Sequence, residues 1–317
     1  MFNFINKILK QNNLRFVIEQ TLTMNVFTIK DLENLTGIKA HTIRIWESRY
    51  QFLKPSRTDT NIRFYSNDQL KMVLNIALLN KYGYKISHIG KMDEVELKEK
   101  ILALSNSTAQ QERIVNNLIQ NMIDLDTDTL EETLDNYILS RGIERTINQI
   151  IFPFLEKIGI LWLTSHIVPA QEHLVTNIIR QKLITGIEGI NTSLVVNKCF
   201  LLFLPEGEYH ELGLLFMNFI LKSRGVKVIY LGANIPLKDA EYVHAVKNPD
   251  YIYIHLTAAA ANFNFDKFLV NMTLKFKETP VIISGQLSQA YQKKIPHNIS
   301  LKKSFAEVME FVAQLQA

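Results

Sequence analysis

The chain has 317 residues, 47% of them apolar and 21% charged, the balance of an ordinary globular protein with room for two or three domains. A single cysteine excludes a disulfide framework, and no apolar run approaches the roughly 20 residues that a membrane-spanning helix needs. The opening MFNFINKILK lacks the continuous apolar stretch and the cleavage site of a signal peptide, so a cytoplasmic protein is expected. The net charge of +4 hides an asymmetry. Met1 to Met92 carries 14 Lys and Arg against 6 Asp and Glu, and the remainder 21 against 25. A basic first third on a mildly acidic body predicts a polyanionic partner for the first third alone.

Residues 1–23 form an extension to which no function is assigned, and Met24 offers a second possible start of translation. From Thr28 the signals sharpen. Thr28 with Asp31 three residues on has capping-box spacing and predicts a short helix over Ile29–Leu35. Gly37 supplies a tight turn before a second helix through Thr42, Ile43, Ile45 and Trp46, which makes a helix-turn-helix. Any helical hairpin fits that pattern, but the next stretch narrows it. Two short extended runs carrying Arg57 and Arg63 flank Asp59, Thr60 and Asn61, as in a basic β-hairpin wing. Ser66 with Gln69 then boxes the start of an amphipathic helix through Leu70, Val73, Leu74 and Leu78.

Read as Thr42-Ile43-Arg44-Ile45-Trp46-Glu47-Ser48-Arg49-Tyr50, followed by Leu53, Pro55, Arg57, Arg63 and Tyr65, residues 26–92 resemble the MerR family of transcription regulators. The resemblance implies that the helix bearing His41, Thr42, Arg44, Arg49 and Tyr50 enters the major groove of double-stranded operator DNA. It also implies that Lys54, Arg57, Arg63 and Tyr65 serve the wing and the phosphates. The chemistry agrees, because arginine suits bidentate contact to a base or phosphate and wing cations give salt-dependent affinity. Ile43 and Trp46 are expected in the core, with Trp46 locking the helix against the wing. One module reads a half-site, so a dimer on a near-palindromic operator is implied.

Met92 to Thr108 reads as a polar link with one short helix, mobile relative to both sides. Helices are predicted over 110–123, 127–141, 144–162 and 169–185, with Arg141-Gly142 closing the second and Pro169 opening the fourth. The short connections imply a four-helix bundle; an inert spacer or a dimerisation bundle fits the composition equally. Trp162 ends the third helix and Glu172-His173 lies one turn into the fourth. An indole and two polar groups at one end of the bundle make a candidate site, against the plainer reading of a core tryptophan and a solvated helix face.

After residues 191–197 strands and helices alternate. The strands are predicted at Cys199–Pro205, Lys227–Leu231, Tyr251–Leu256, Val281–Ser284 and Ile299–Leu301, and the helices at 211–224, 237–247, 263–276, 286–293 and 304–315. Continuously apolar strands are those covered on both faces, so a doubly wound parallel sheet is expected, with ligands at the strands' carboxyl ends. His210, His255, Thr257 and Ser284-Gly285 all fall on that edge. Within Glu208-Tyr-His210-Glu-Leu-Gly213 the histidine can offer one ring nitrogen to a metal while a carboxylate fixes the other, and the glycine lets something bulky approach. A merely solvated loop histidine is the plain alternative. No glycine-rich nucleotide fingerprint follows the first strand.

Residues 105–317 resemble the cobalamin-binding module in which a helical bundle caps a Rossmann-like domain, and Glu208-x-His210-x-x-Gly213 matches its acid-x-His-x-x-Gly signature. There the histidine replaces the cofactor's own base as lower cobalt ligand, and the freed nucleotide tail slides into the sheet's edge. With a MerR module in front and Trp162 ten residues before Glu172-His173, the whole chain resembles the adenosylcobalamin-dependent photoreceptor repressors of the CarH/LitR class. That resemblance implies that His210 binds cobalt from below, Trp162 packs over the adenosyl group and Glu172 hydrogen-bonds its ribose. It further implies that light breaks the cobalt–carbon bond, that His173 takes the vacated upper position, and that a DNA-bound tetramer then comes apart. The chain departs from the pattern at His255, where a small residue is usual, and at Ser284-Gly285, where a glycine pair is usual. Both border the nucleotide tail.

The expected fold is therefore multidomain, α and α/β: a winged helix-turn-helix over 24–95, a linker and four-helix cobalamin cap over 96–190, and a Rossmann-like five-stranded parallel sheet over 191–317. The expected function is a non-enzymatic DNA-binding regulator controlled by adenosylcobalamin, a cobalt corrinoid, and by light, acting as a dimer or tetramer with no membrane partner. A light-independent or cofactor-free regulator is the alternative, and a corrinoid carrier of a methyltransferase a further one.

Overall fold

The structure, a computed structural model, describes residues 26–50, 52–164, 166–257 and 263–315; the N-terminal extension and Met24 lie outside them. The chain divides into two compact units, with the division between Val175 and Thr176 inside one long helix.

In the first unit, β1 (Val26–Phe27) leads into α1 (Ile29–Thr36), whose start is closed by the expected reciprocal box between Thr28 and Asp31. Gly37 ends it at φ 73°, a left-handed conformation that glycine reaches without strain. Then come α2 (Ala40–Arg49), β2 (Ser56–Arg57), β3 (Arg63–Ser66) and α3 (Asn67–Lys81). β2 and β3 form the antiparallel wing with Arg57 opposite Arg63, and β1 pairs with the other edge of β3. Asn61 turns the hairpin at φ 64°. Ser66 and Gln69 box the start of α3 as the spacing predicts.

The stretch after α3 departs from expectation. α4 (Ile86–Ile89) and α5 (Glu94–Leu102) bury Ile89, Leu97, Ile101 and Leu104 in one cluster with Trp46, Ile76 and Leu79. Leu97, Ile101 and Leu104 follow the i, i+4, i+7 stripe of an amphipathic helix, and the intervening Lys and Glu residues disguise it as a polar tether. The link is packed into the core. The same cluster corrects the role of Trp46, whose indole meets Phe52 edge-on at 6.2 Å and packs with α3, α4 and α5 instead of locking the wing.

α6 (Ser107–Asp124), α7 (Thr127–Arg141), α8 (Ile143–Thr146), α9 (Phe152–Leu163) and the start of α10 (Pro169–Glu188) supply the predicted helices. The third runs unbroken but changes geometry: a π-turn at Ile147–Ile151 joins α8 to α9. Pro153 has no N–H to return to the preceding turn, and Phe152 N–H donates instead to the carbonyl of Ile147, five residues back. Leu118, Ile119, Leu130, Leu134, Ile150, Phe154 and Leu161 are fully buried. α3 packs along α6, reinforced by ion pairs Lys71–Asp124 and Lys81–Glu112, and α1 packs against α9. The DNA module and the bundle therefore share one body.

The second unit holds β4 (Val196–Pro205), α11 (Leu212–Ser223), β5 (Val226–Ile235), α12 (Leu237–Lys247), β6 (Tyr251–His255), α13 (Phe265–Lys275), β7 (Val281–Ser284), α14 (Gln286–Ala290), β8 (Ile299–Leu301) and α15 (Phe305–Gln314). The five described strands are parallel, in the order β5-β4-β6-β7-β8, so the order reverses between β4 and β6. Phe200, Leu201, Leu202, Phe203 and Leu204 of β4 are all fully buried, which is why that strand reads as an unbroken apolar run. α14 stops earlier than expected because Tyr291 turns extended and donates its hydroxyl to Asp266 at 2.8 Å. No helix among the described residues is long and apolar enough to cross a membrane.

Candidate functional site

The predicted groove-facing residues of α2 separate by exposure. His41, Arg44 and Arg49 are exposed, Thr42 is half-buried, and Ile43 and Trp46 face the core on the opposite side. Lys54 and Arg57 are exposed on the wing side. One predicted contact is corrected. Tyr65 is fully buried, and its hydroxyl donates to Glu47 of α2; burial and that carboxylate push the phenol well above its usual range. Tyr50 stacks on Phe52 at 5.6 Å and fills the space beside Gly90, where a Cβ would meet its ring at 2.8 Å. Arg63, half-buried, donates its Nε to the other Glu47 oxygen at 2.9 Å. Glu47 is therefore the strut between α2 and the wing. Sequence reasoning passed over it because its partners lie 16 and 18 residues away.

Trp162 stands one residue before the end of α9 and is 47% exposed, so it is not a core tryptophan. Glu172 lies in the first turn of α10, with its carboxylate 3.4 Å from Nδ1 of the exposed His173. The connection between these helices carries His166, whose Nε2 lies 2.6 Å from the buried carboxylate of Asp31 in α1. The His166 ring also stands edge-on to Phe27 at 5.5 Å. The end of the bundle bearing Trp162, Glu172 and His173 is thus bolted to the helix-turn-helix.

At the carboxyl edge of the sheet, the loop from β4 to α11 is held from several sides. Gly207 N–H donates to Asn234 Oδ1 at 2.9 Å, and Asn234 N–H donates to the Glu208 carbonyl at 3.0 Å. Glu211 accepts from the Tyr230 hydroxyl at 2.6 Å and from Arg180. Asn234, Tyr230 and Arg180 are site-building residues that the sequence did not mark, since nothing local ties them to this loop. Glu208 is 4% exposed, and its Oε1 accepts from the His210 backbone at 2.8 Å and lies 2.6 Å from His210 Nδ1. A buried carboxylate on Nδ1 fixes the ring so that Nε2 is the nitrogen to meet a metal, and the side chain is 57% exposed. Among the described residues no cluster of three or more His, Cys, Asp or Glu gathers as a metal site. An exposed imidazole with its Nδ1 held by a buried carboxylate suits a single-ligand position, which fits a metal already carried by a corrin ring.

The neighbouring residues fit less simply. Ser284 is buried, with Oγ 2.5 Å from the Tyr253 hydroxyl and 2.8 Å from His255 Nδ1. His255 sits against Gly213: a Cβ there would fall 2.3 Å from His255 Cδ2. Burial pushes His255 down to about 4, against an upward pull from Glu208, so the ring is neutral. Gly285 (φ 99°) lies against the Leu256 backbone, and Thr257 is half-buried just after β6. A cavity of about 660 Å³ opens at the opposite, amino end of the sheet, near Lys198, Lys222 and Asp250, and takes no part in this arrangement.

Two family models match the chain. Residues 27–95 match the MerR HTH family regulatory protein, and residues 114–185, the bundle, match the B12 binding domain. The chain therefore joins a MerR-type helix-turn-helix module to a B12-binding domain. This regulator is 26% identical over 285 residues to the HTH-type transcriptional repressor CarA of Myxococcus xanthus, covering 89% of this chain and 93% of that one. It is 24% identical over 284 residues to the repressor CarH of the same organism, covering 86% and 92%. Among solved structures, the Methanosarcina barkeri monomethylamine corrinoid protein aligns with TM-score 0.48 at 12% identity, over 65% of this chain and 99% of that one, a likeness too distant to carry weight. The regulator is a cobalamin-responsive DNA-binding protein.

Proposed function

We propose that this regulator is a transcriptional repressor whose assembly on operator DNA is set by bound adenosylcobalamin and by light. The observation that carries the reading is the Glu208–His210 dyad at 2.6 Å on the carboxyl edge of an open sheet, in a chain that also holds a DNA-binding module. The names of the two relatives, both repressors similar over most of their length, support it. His210 would hold cobalt from below, Trp162 would pack over the adenosyl group and Glu172 would hydrogen-bond its ribose. His173 would be a second residue able to hold the cobalt. Gly213, His255, Thr257, Ser284 and Gly285 would line the crevice toward which the tail is directed. Bound adenosylcobalamin would supply a cobalt–carbon bond that light cleaves; no catalytic side chain is required.

The chain's part is to carry the change to DNA. His166 sits between Trp162 and Glu172 and pairs with Asp31, so a shift at the cap reaches the helix-turn-helix through a direct contact. On the DNA side, His41, Thr42, Arg44 and Arg49 would read the major groove, while Lys54 and Arg57 supply phosphate contacts. A dimer or tetramer engages successive half-sites and gains effective concentration from linkage. The domain reading keeps 24–95 for DNA, 96–190 for the cap and 191–317 for the sheet. A second reading, a light-independent or cofactor-free regulator, is favoured by one observation: His255 lies against Gly213.

The test is an absorption spectrum with size-exclusion chromatography, on protein mixed with adenosylcobalamin in the dark and again after green light. A retained corrinoid spectrum that changes on illumination, with a fall in assembly size, is the expected result. Retention with no change in size refutes control by light, and no retention refutes the cofactor.

A further inference from the structure

In an open α/β sheet a ligand enters at the crevice where the strand order reverses, here between β4 and β6. One of the chain's own side chains bridges that crevice. His255 ends β6, and its ring reaches the first turn of α11, where a Cβ on Gly213 would stand 2.3 Å from Cδ2 and 2.4 Å from Nε2. The room that a glycine at 213 provides is therefore taken by imidazole. Buried Ser284 holds the ring from the other side, its Oγ 2.8 Å from His255 Nδ1, and is itself held by the buried Tyr253 hydroxyl at 2.5 Å. A Cβ on Gly285 would come 2.3 Å from the Leu256 carbonyl, so the backbone beside the ring is closed as well.

We propose that His255 is a specificity residue that plugs this crevice against a corrinoid's nucleotide tail, so that the site prefers corrinoids lacking that tail. The inference rests on the corrinoid reading of His210. Cobalt held by His210 requires the tail's own base to be displaced, and the displaced tail needs space that the imidazole occupies. A tail-less corrinoid asks only for the face presented by His210. The plug also accounts for Gly213 without a ligand: helix α11 can approach β6 only where position 213 has no side chain.

Aquacobalamin and diaquacobinamide, related corrinoids with and without the tail, are titrated into the full-length protein in the dark by absorbance and equilibrium dialysis. Wild type is expected to bind cobinamide more tightly. In His255→Ser the ratio of the two dissociation constants should move toward cobalamin by about 10- to 200-fold, the range that one excess group in a shaped pocket is worth. Gly213→Ala gives a readout without ligand. Its Cβ lands on the ring, so it should lower the melting temperature of wild type and be tolerated in the His255→Ser background. Equal binding of both corrinoids with an unchanged ratio in His255→Ser overturns the plug alone, as does an additive effect of the two substitutions on stability. Binding of neither corrinoid by either protein overturns the corrinoid reading and the inference with it.

Discussion

In the DNA-binding module Glu47 faces inward, and each of its oxygens accepts from the wing, one from Tyr65 and one from Arg63. At the sheet edge Glu208 is more deeply buried, yet it grips a residue two positions away, His210, whose ring reaches the surface. Both carboxylates are desolvated, and each repays that cost through hydrogen bonds to its partners. The difference lies in where the partner points. Glu47 joins two elements of the module to each other, and Glu208 aims one side chain outward. The first is a structural strut and the second a positioning group for a ligand.

That contrast predicts different losses. The largest effect belongs to His210→Ala, which should abolish corrinoid retention through gel filtration while the protein still melts as wild type; full retention rules out the lower-ligand role. Glu47→Ala should cost about 3 kcal/mol of stability in denaturant, because each hydrogen bond to a charged group is worth about 1.5–3 kcal/mol. A change within about 0.5 kcal/mol, the size of an ordinary surface substitution, would break the strut assignment. Glu208→Gln should leave stability near wild type and weaken corrinoid binding by about 10- to 100-fold, the usual range for a partner behind a metal ligand.

A pH series sharpens the comparison at another titratable group of the edge. His255 has its pKa lowered from 6.5 to about 4 by burial, so between those values the unfolded chain binds a proton that the folded chain does not. Stability should fall as pH drops through that window, and His255→Ser should remove this part of the slope. A slope identical in the two proteins counts against a neutral, packed ring. The smallest effects belong to the exposed cations. Arg44→Ala should lose about 1–3 kcal/mol of discrimination at one base pair, and Arg57→Ala should weaken all sequences alike and reduce the salt slope by about 1. Fluorescence anisotropy at several salt concentrations separates them, and equal behaviour refutes the division between groove and wing.

Most of the architecture was legible because its signals are local. Capping boxes at Thr28 and Ser66, the turn at Asn61 and the unbroken apolar β4 each depend on neighbours a few residues apart. The Glu208–His210 pair was legible for the same reason. The link over 92–108 was misread because its apolar stripe is diluted by Lys and Glu, and only packing against Trp46 and Ile76 shows which face counts. Tyr65 was misplaced because a tyrosine beside arginines looks like a phosphate contact until Glu47 claims its hydroxyl.

The sequence by itself determined the order of modules, the parallel sheet and the acid–histidine dyad, since these follow from periodicity and short spacing. Tertiary structure alone decided that Glu47 braces the wing, that His166 ties the bundle to Asp31, and that His255 lies in the room left by Gly213. Each of those contacts joins residues distant in the chain, and such a contact exists only once the chain has folded and chosen which side chains meet.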